Sequence, residues 1–331
     1  MTAPQEVQRE RLSEKLRREL GPAVLQALSD PDIIEIILNP DGKIWLESHS
    51  RGMSETESSM RPAQAENLIG TVAAALNAVV NPQNPIVEGE LPLTGSRFEG
   101  LLPPIAPSPC FVIRKRAPLV YSLDDYIKDG IITVDHAKSL RVAIASRLNI
   151  VVAGGTGSGK TTFVNALIQE MVNLGDPVER FVIIEDTFEL QCSARNALQL
   201  HTTDAADMTR LVRATMRLRP DRIIIGEVRG GEALALLKAW NTGHPGGVTT
   251  VHANSAPAAL LRLLSLVEEA GVPPQPELIG ETVNMLAFME RTAGGRSLRE
   301  LLKVQGHDET DGFRLEPANS RATEVKLCSA R

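Results

Sequence analysis

Residues 148–162 read LNIVVAGGTGSGKTT and place a glycine-rich turn directly after a run of apolar, mostly β-branched residues. The run predicts a buried strand, and the segment beyond the turn has the apolar spacing of a helix. Within this stretch, residues 154–161 fit the pattern GxxxxGK followed by Ser or Thr. Glycines in such a loop let backbone N–H groups surround a phosphate at a helix N-terminus.

Each side chain of the loop has a chemical reason to be there. Lys160 would bridge the β- and γ-phosphates of a nucleotide, and Thr161 would hold Mg²⁺. The alternative is a glycine turn that only connects strand and helix, and the agreement of motif and context disfavours it. The predicted nucleotide contacts are Gly154, Gly155, Thr156, Gly157, Ser158, Gly159, Lys160, Thr161 and Thr162.

Downstream of the loop, apolar runs and helical patterns alternate three more times. Continuous β-branched runs between helices are typical of a parallel sheet that is covered on both faces. We therefore expect an α/β domain over residues 136–331, closed by a hairpin over 284–304. The predicted strands are 180–186, 221–228 and 246–253, and the helices after the loop are 161–174, 205–218, 231–243 and 255–271.

The first part of the chain has a different pattern, typical of a smaller α+β domain over residues 1–116. A charged helix, broken at Gly21-Pro22, precedes two short apolar runs around the turn 39–42, which indicate a hairpin. A second helix and a Pro- and Gly-rich antiparallel sheet follow, and residues 117–135 predict a linker with one short helix. The predicted elements are helices 5–29 and 62–80 and strands 33–38, 43–48 and 111–116.

Composition limits the classes of function. The chain has 331 residues, a net charge of −6 and 3% aromatic residues, so direct DNA binding through a basic or stacking surface is not expected. Its three cysteines are widely spaced and form no CxxC pair, so a zinc site is not expected. No apolar run approaches the ~18 residues of a membrane span, and the N-terminus lacks a signal-peptide core. We expect a cytosolic protein.

Acidic residues end two of the predicted strands. Glu185 and Asp186 end one strand, and Glu227 ends another. A Mg-nucleotide site needs a carboxylate near the metal and one that polarises the attacking water. Because Gly226 stands where a metal-holding Asp is usual, Glu227 would act alone or with Glu185. The alternative is that these are ordinary acids that cap the following helices.

Histidine and arginine residues provide the remaining candidates. His252 follows the fourth strand and would contact the γ-phosphate, or it is a core histidine. Arg114 and Arg116 alternate on one strand and point to the same side; with Arg97 they could supply cations to a phosphate. A basic helix face, formed by Arg210, Arg213 and Arg217, is interpreted as a solvated or subunit-facing surface.

Four motifs occur in a fixed order: GGTGSGKTT (154–162), VIIEDTFEL (182–190), LRPDRIIIGEVRGGEA (218–233) and TGHPGGVTTVHANS (242–255). They resemble the Walker A, Asp-box, Walker B and His-box motifs of the secretion and traffic ATPase superfamily. Residues 34–47 and 97–116 extend the resemblance over nearly the whole chain. Within the superfamily the sequence is most similar to the type IV secretion branch and its conjugal transfer ATPases.

The resemblance implies a RecA-like P-loop NTPase domain and a homohexameric ring that hydrolyses ATP with Mg²⁺. ATP would lie between the two domains of a subunit, and the first-domain arginines would reach its phosphates. Type II relatives carry a four-cysteine zinc insert that this chain cannot form. The implied catalytic residues are Lys160, Glu185, Glu227, His252, Arg97, Arg114 and Arg116, and the implied metal ligands are Thr161 and Glu227.

The implied partners are inner-membrane components of a type IV secretion or mating-pair apparatus, with the ring at the cytoplasmic face of the inner membrane. Two other functions stay open: a DNA-translocating RecA-like ATPase and a nucleotide-gated scaffold. The N-terminal helix also allows two interpretations. Its cations and leucines are typical of a helix lying on a membrane, whereas its glutamates favour a solvated helix packed on its own domain. The cations are Arg9, Arg11, Lys15, Arg17 and Arg18.

Overall fold

The computed structural model describes residues 3–48, 50–115, 120–203, 205–292 and 295–318, with side chains from residue 10 onward. The chain forms two compact units, residues 1–119 and 120–331. Residues 120–135, within the predicted linker, belong to the second unit because Leu123 and Tyr126 are buried in its core. Among the described residues, no helix combines the length and the apolar character needed to cross a membrane.

The first unit is an antiparallel sheet covered by two helices. Its strands are ordered β3-β2-β1-β6-β5-β4. The hairpin predicted over 33–48 forms with the expected strand bounds, because Gly42 adopts a positive φ of 82° in the turn. The elements are α1 (Ala3–Ser29), β1 (Ile33–Leu38), β2 (Lys43–Ser48), β3 (Gly52–Ser59), α2 (Pro62–Ala75), β4 (Ile86–Glu90), β5 (Arg97–Leu101) and β6 (Cys110–Arg114).

The helix α1 bends at Gly21, whose φ of 76° and ψ of 168° are not helical. Its apolar side chains, Leu16 and Leu20, are at most 2% exposed and lie in the same core as Ile36 and Phe98. These two leucines, which favoured a membrane-bound helix, are therefore buried in the core of the first unit. This arrangement matches the other interpretation, a helix packed on its own domain.

Two features of the first unit differ from the sequence prediction. The strand β3 was not expected, because its residues are mostly polar and alternate between exposed and half-buried positions at the sheet edge. The helix α2 ends at Ala75, five residues before the predicted end at 80. Asn77, with a φ of 57°, turns the chain away there.

The second unit contains an eight-stranded sheet in the order β14-β13-β12-β7-β11-β10-β8-β9. The strands from β12 to β9 run parallel, whereas β12, β13 and β14 pair antiparallel. The elements are α3 (Leu123–Lys128), α4 (Val134–Ala145), β7 (Ile150–Gly154), α5 (Lys160–Leu174), β8 (Phe181–Glu185), β9 (Ala197–His201), α6 (Met208–Thr215), β10 (Arg222–Ile225), α7 (Glu232–Asn241), β11 (Val248–Val251), α8 (Ala256–Glu268), α9 (Pro276–Thr282), β12 (Met285–Thr292), β13 (Gly295–Asp308) and β14 (Gly312–Pro317).

Helices cover both faces of this sheet, as the apolar runs predicted. In β7, Val151 and Ala153 pack into one core with α7 and α8, and Ile150 and Val152 pack into the other with α4 and α5. This confirms the α/β fold preceded by a smaller α+β part. The edge strand β9, which alternates exposed and half-buried residues, was not predicted, and neither was the last strand β14.

Candidate functional site

The sheet order brings the predicted site residues to one edge. The strand β11 lies between β7 and β10, and β8 follows β10. Because these strands are parallel, their carboxyl ends meet at the same edge of the sheet, where α/β proteins bind ligands. The glycine-rich loop follows β7, Glu185 ends β8, Glu227 follows β10 and His252 follows β11.

The backbone of the loop after β7 is held by hydrogen bonds from its own lysine, Lys160. Gly159, with a φ of 90°, turns the chain into α5, and Lys160 is the first residue of that helix. The Lys160 Nζ donates to the carbonyl oxygens of Gly154 and Gly155, each at 2.9 Å. Residues 155–157 at the tip of the loop are exposed. This is the geometry in which a glycine-rich loop and a helix N-terminus receive a phosphate.

The ammonium of Lys160 is held in a poorly solvated place, with only 8% of the residue exposed. Burial lowers the pKa of Lys160, and the Glu227 carboxylate opposes this effect. A buried cation without an anion in direct contact is costly, and an anion bound on the loop would relieve that cost.

Glu227 contacts two side chains, His252 and Arg229. Its Oε1 lies 2.7 Å from Nε2 of His252. Arg229 donates twice to Oε2, from Nη2 at 2.7 Å and from Nε at 3.0 Å. Arg229 Nη1 also lies 3.5 Å from a carboxylate oxygen of Asp186. The carboxylate predicted to manage the metal is therefore fixed in orientation.

His252 bridges Lys160 and Glu227. Its Nε2 lies 2.7 Å from Glu227 Oε1, and its Nδ1 lies 3.4 Å from Lys160 Nζ. Its side chain is 48% exposed, so His252 is not a buried core histidine. A movement of Lys160 or of Glu227 would therefore change a contact of the His252 ring.

Glu185 has a different environment, although it ends a neighbouring strand. It is 3% exposed, and its Oε1 accepts the backbone N–H groups of Glu189 and Leu190 at 3.1 and 2.8 Å. A Cβ on Gly226 would lie 3.0 Å from Cγ of Glu185. The side chain of Glu185 thus occupies the space beside residue 226, so a side chain at that position would make a tight contact with it.

The arginines of the first unit form a charged row on its sheet. Arg97 of β5 stands opposite Arg114 of β6, which stands opposite Glu35 of β1. Arg114 Nε donates to Glu35 Oε1 at 2.5 Å. Like charges in directly opposite positions repel each other, and Glu35 offsets part of this repulsion at Arg114. Arg116 lies outside the described residues.

The basic face of α6 is a surface in the structure. Arg210 and Arg213 of α6 are exposed, and so is Arg217, but Arg217 lies in a turn beyond the end of α6 at Thr215, so the helix predicted over 205–218 is shorter than expected and does not include it. The helix is capped by Asp207, whose side chain accepts from the Arg210 backbone N–H. The predicted solvated or subunit-facing surface fits this exposure.

Sequence reasoning missed three arginines of the second unit that lie near the predicted site residues. Arg229 follows Glu227 by two residues, and a cation so close to a strand-end carboxylate was a usable signal. Arg291 of β12 and Arg296 of β13 are paired in the sheet and lie against the glycine-rich loop. Their distance of more than 130 positions from the loop gave no signal in the sequence.

The oxygen donors near the loop fit Mg²⁺, which prefers few protein ligands together with phosphate and water oxygens. Thr161 is the second residue of α5, and the Glu227 side chain is 17% exposed. In the described part of the chain, no group of three or more His, Cys, Asp or Glu residues is placed to hold a metal ion without further ligands. A metal here would depend on the oxygens of a bound nucleotide.

The chain resembles known proteins over most of its length. The family described as "Type II/IV secretion system protein" matches residues 21–289. The "Probable conjugal transfer protein TrbB" of Sinorhizobium fredii is 52% identical over 295 residues, which cover 89% of this chain and 90% of that relative. The "Conjugal transfer protein TrbB" of Rhizobium radiobacter is 52% identical over 297 residues, 90% and 91% of the two chains.

Among solved structures, the pilus retraction motor PilT with bound ADP aligns with a TM-score of 0.63 and 20% identity, covering 85% of this chain and 82% of that chain. At this identity the likeness shows the shared fold. The family match spans the positions of all four ordered motifs, and the resemblance drawn from those motifs is confirmed. The chain belongs to the family of type II/IV secretion system proteins.

Proposed function

We propose that this protein is a Mg²⁺-dependent ATPase that works as a homohexameric ring at the cytoplasmic face of the inner membrane. It energises the assembly of a conjugative type IV secretion apparatus, or the transfer of substrate through it. The observation that carries the ATPase proposal is the buried Lys160, held under the glycine-rich loop and linked through His252 to Glu227. The conjugal transfer role rests on the 52% identical relatives.

In this proposal the loop N–H groups and Lys160 bind the β- and γ-phosphates and stabilise the charge that develops as the phosphoryl group leaves. Thr161 and Glu227 would hold Mg²⁺, which neutralises phosphate charge when bound. Because Glu185 is only 3% exposed and is held by two backbone N–H groups, whereas the Glu227 side chain is 17% exposed, Glu227 is the carboxylate we assign to orienting the attacking water. Glu185 then keeps the segment after β8 in place.

His252 would report the state of the nucleotide. Its two ring nitrogens lie next to the phosphate-binding lysine and the water-orienting carboxylate, so a γ-phosphate that draws Lys160 away would remove one of these contacts. The exposed imidazole ring of His252 can also contact a γ-phosphate directly.

The test of this function is steady-state phosphate release by the purified protein, together with its mass by light scattering. We expect release that requires Mg²⁺ and ATP, and a mass near six times 35.8 kDa with Mg-ATP. Release that rises with DNA and falls steeply with salt would instead favour a DNA-translocating motor. A ring that binds ATP without steady-state release would favour a scaffold.

The first-unit arginines give a further prediction. We propose that Arg97, Arg114 and Arg116 supply positive charge to the phosphates, so Arg97→Ala and Arg114→Ala should each lower turnover about tenfold or more. Their thermal midpoints should change little, since neither arginine is buried and the Arg114 side chain in the pair with Glu35 is 45% exposed. Arg51→Ala, at an exposed turn of the same unit, is the matched control. Turnover at the Arg51→Ala level in both variants would remove these arginines from the site.

A further inference from the structure

The β12–β13 hairpin brings two arginines to the glycine-rich loop from the same unit. The strand β12 pairs in parallel with β7, and Met289 is the partner of Gly154, where β7 ends and the loop begins. The hairpin therefore continues past the edge of the sheet on the side where the loop lies. Arg291 and Arg296 are the residues that it carries there.

Both arginines lie close to the glycines of the loop. Arg296 Nε donates to the carbonyl oxygen of Gly157 at 3.3 Å. A Cβ on Gly159 would lie 2.8 Å from Cδ of Arg296, and a Cβ on Gly157 would lie 3.4 Å from Nη1 of Arg291. The absence of side chains at these two positions thus makes room for the arginines as well as for a phosphate.

The hairpin register places the positive charges of the two arginines next to each other. Arg291 and Arg296 are directly opposite each other in the hairpin register, and like charges at opposite positions of an antiparallel pair destabilise it. They also share this edge with the buried ammonium of Lys160. Three cations around one exposed loop are typical of a site for a multiply charged anion.

We propose that Arg291 and Arg296 form a cationic cover on the polyphosphate of the bound nucleotide, in addition to Lys160. Arg291 contacts the phosphates, and Arg296 is a positioning residue that fixes the loop through the Gly157 carbonyl. This inference rests on the proposed nucleotide site and adds two cations to it, both from the same subunit.

The test is equilibrium binding of fluorescent ADP to the full chain, with inorganic pyrophosphate as a competitor. Arg291→Gln should weaken both ADP and pyrophosphate about tenfold, which is the size of one charge-assisted hydrogen bond. Arg296→Gln should weaken ADP to a similar extent, and Arg296→Lys should recover most of that loss because an ammonium can still donate to the Gly157 carbonyl.

Arg299→Gln is the matched control. It removes the same charge from the same hairpin, but the Arg299 side chain is 61% exposed and its Nε lies 3.0 Å from Glu290. We expect its ADP affinity to stay within twofold of wild type. The thermal midpoint without nucleotide, measured on every variant, shows whether each variant is folded. If Arg296→Gln does not fold, the ADP affinities of Arg291→Gln and Arg296→Lys test the inference.

Two results would overturn the inference, and they are distinguishable. If wild type and Arg299→Gln bind ADP, and Arg291→Gln and Arg296→Gln bind it equally well, the cover is absent and the nucleotide site stands. If wild type itself binds neither ADP nor pyrophosphate, the proposed nucleotide site fails and the cover fails with it.

Discussion

Replacing Lys160 with Ala should reduce steady-state phosphate release at least about a thousandfold, the effect expected when a preorganised cation is removed from a transferring phosphoryl group. The loss follows from the location of the ammonium, which is buried and lies under the loop between the Gly154 and Gly155 carbonyls. Arg291 and Arg296 approach the loop at Gly157 and Gly159 and do not occupy the position of the Lys160 ammonium at the Gly154 and Gly155 carbonyls.

The control for this variant is Lys238→Ala, which removes an exposed lysine in the last turn of α7. We expect wild-type release from Lys238→Ala. The thermal midpoint of nucleotide-free Lys160→Ala should fall by only a few degrees, because the lost hydrogen bonds are partly offset by removing a buried cation. Phosphate release near the wild-type rate from a folded Lys160→Ala protein would refute the assignment of the loop.

The strands and helices that position the loop could be predicted from the sequence because their signals are local. The run before Gly154 is apolar on both faces, which only a strand covered on both sides explains, and the loop motif follows it directly. The hairpin of β1 and β2 was equally readable, since Asn39-Pro40-Asp41-Gly42 fixes the turn between two apolar runs.

Edge strands, and contacts between residues that are far apart in the sequence, could not be predicted in this way. The strand β9 pairs with the free edge of β8, and its alternating pattern consists of only two leucines, Leu198 and Leu200, which is too short to identify a strand from the sequence. Glu185 and Glu227 look alike in the sequence, as acids at strand ends. Only the fold shows that backbone N–H groups hold Glu185 and that His252 and Arg229 hold Glu227.

Glu227→Gln should reduce phosphate release at least about a hundredfold while leaving ATP bound. The amide keeps the size of the carboxylate and can still accept from one of its partners, but it has no charge to hold Mg²⁺ or to orient the attacking water. Lys160 and the loop, which bind the phosphates, are unchanged. The measurement is single-turnover hydrolysis together with retention of labelled ATP on the purified ring, and Glu269→Gln, at an exposed acid of the same unit, is the control.

A parallel Glu185→Gln variant decides between the two carboxylates. The oxygen that accepts from Glu189 and Leu190 is retained in the amide, so this protein should fold with a loss of about 1 kcal/mol in its free energy of unfolding. If Glu227 orients the water, Glu185→Gln keeps most of the turnover, and its loss appears mainly in stability. If instead Glu185→Gln traps ATP while Glu227→Gln turns over, the two roles are exchanged, and the network of Glu227 with His252 and Arg229 is structural. A Glu227→Gln protein that neither binds ATP nor forms rings would also show that this network maintains the fold and does not carry out the chemistry.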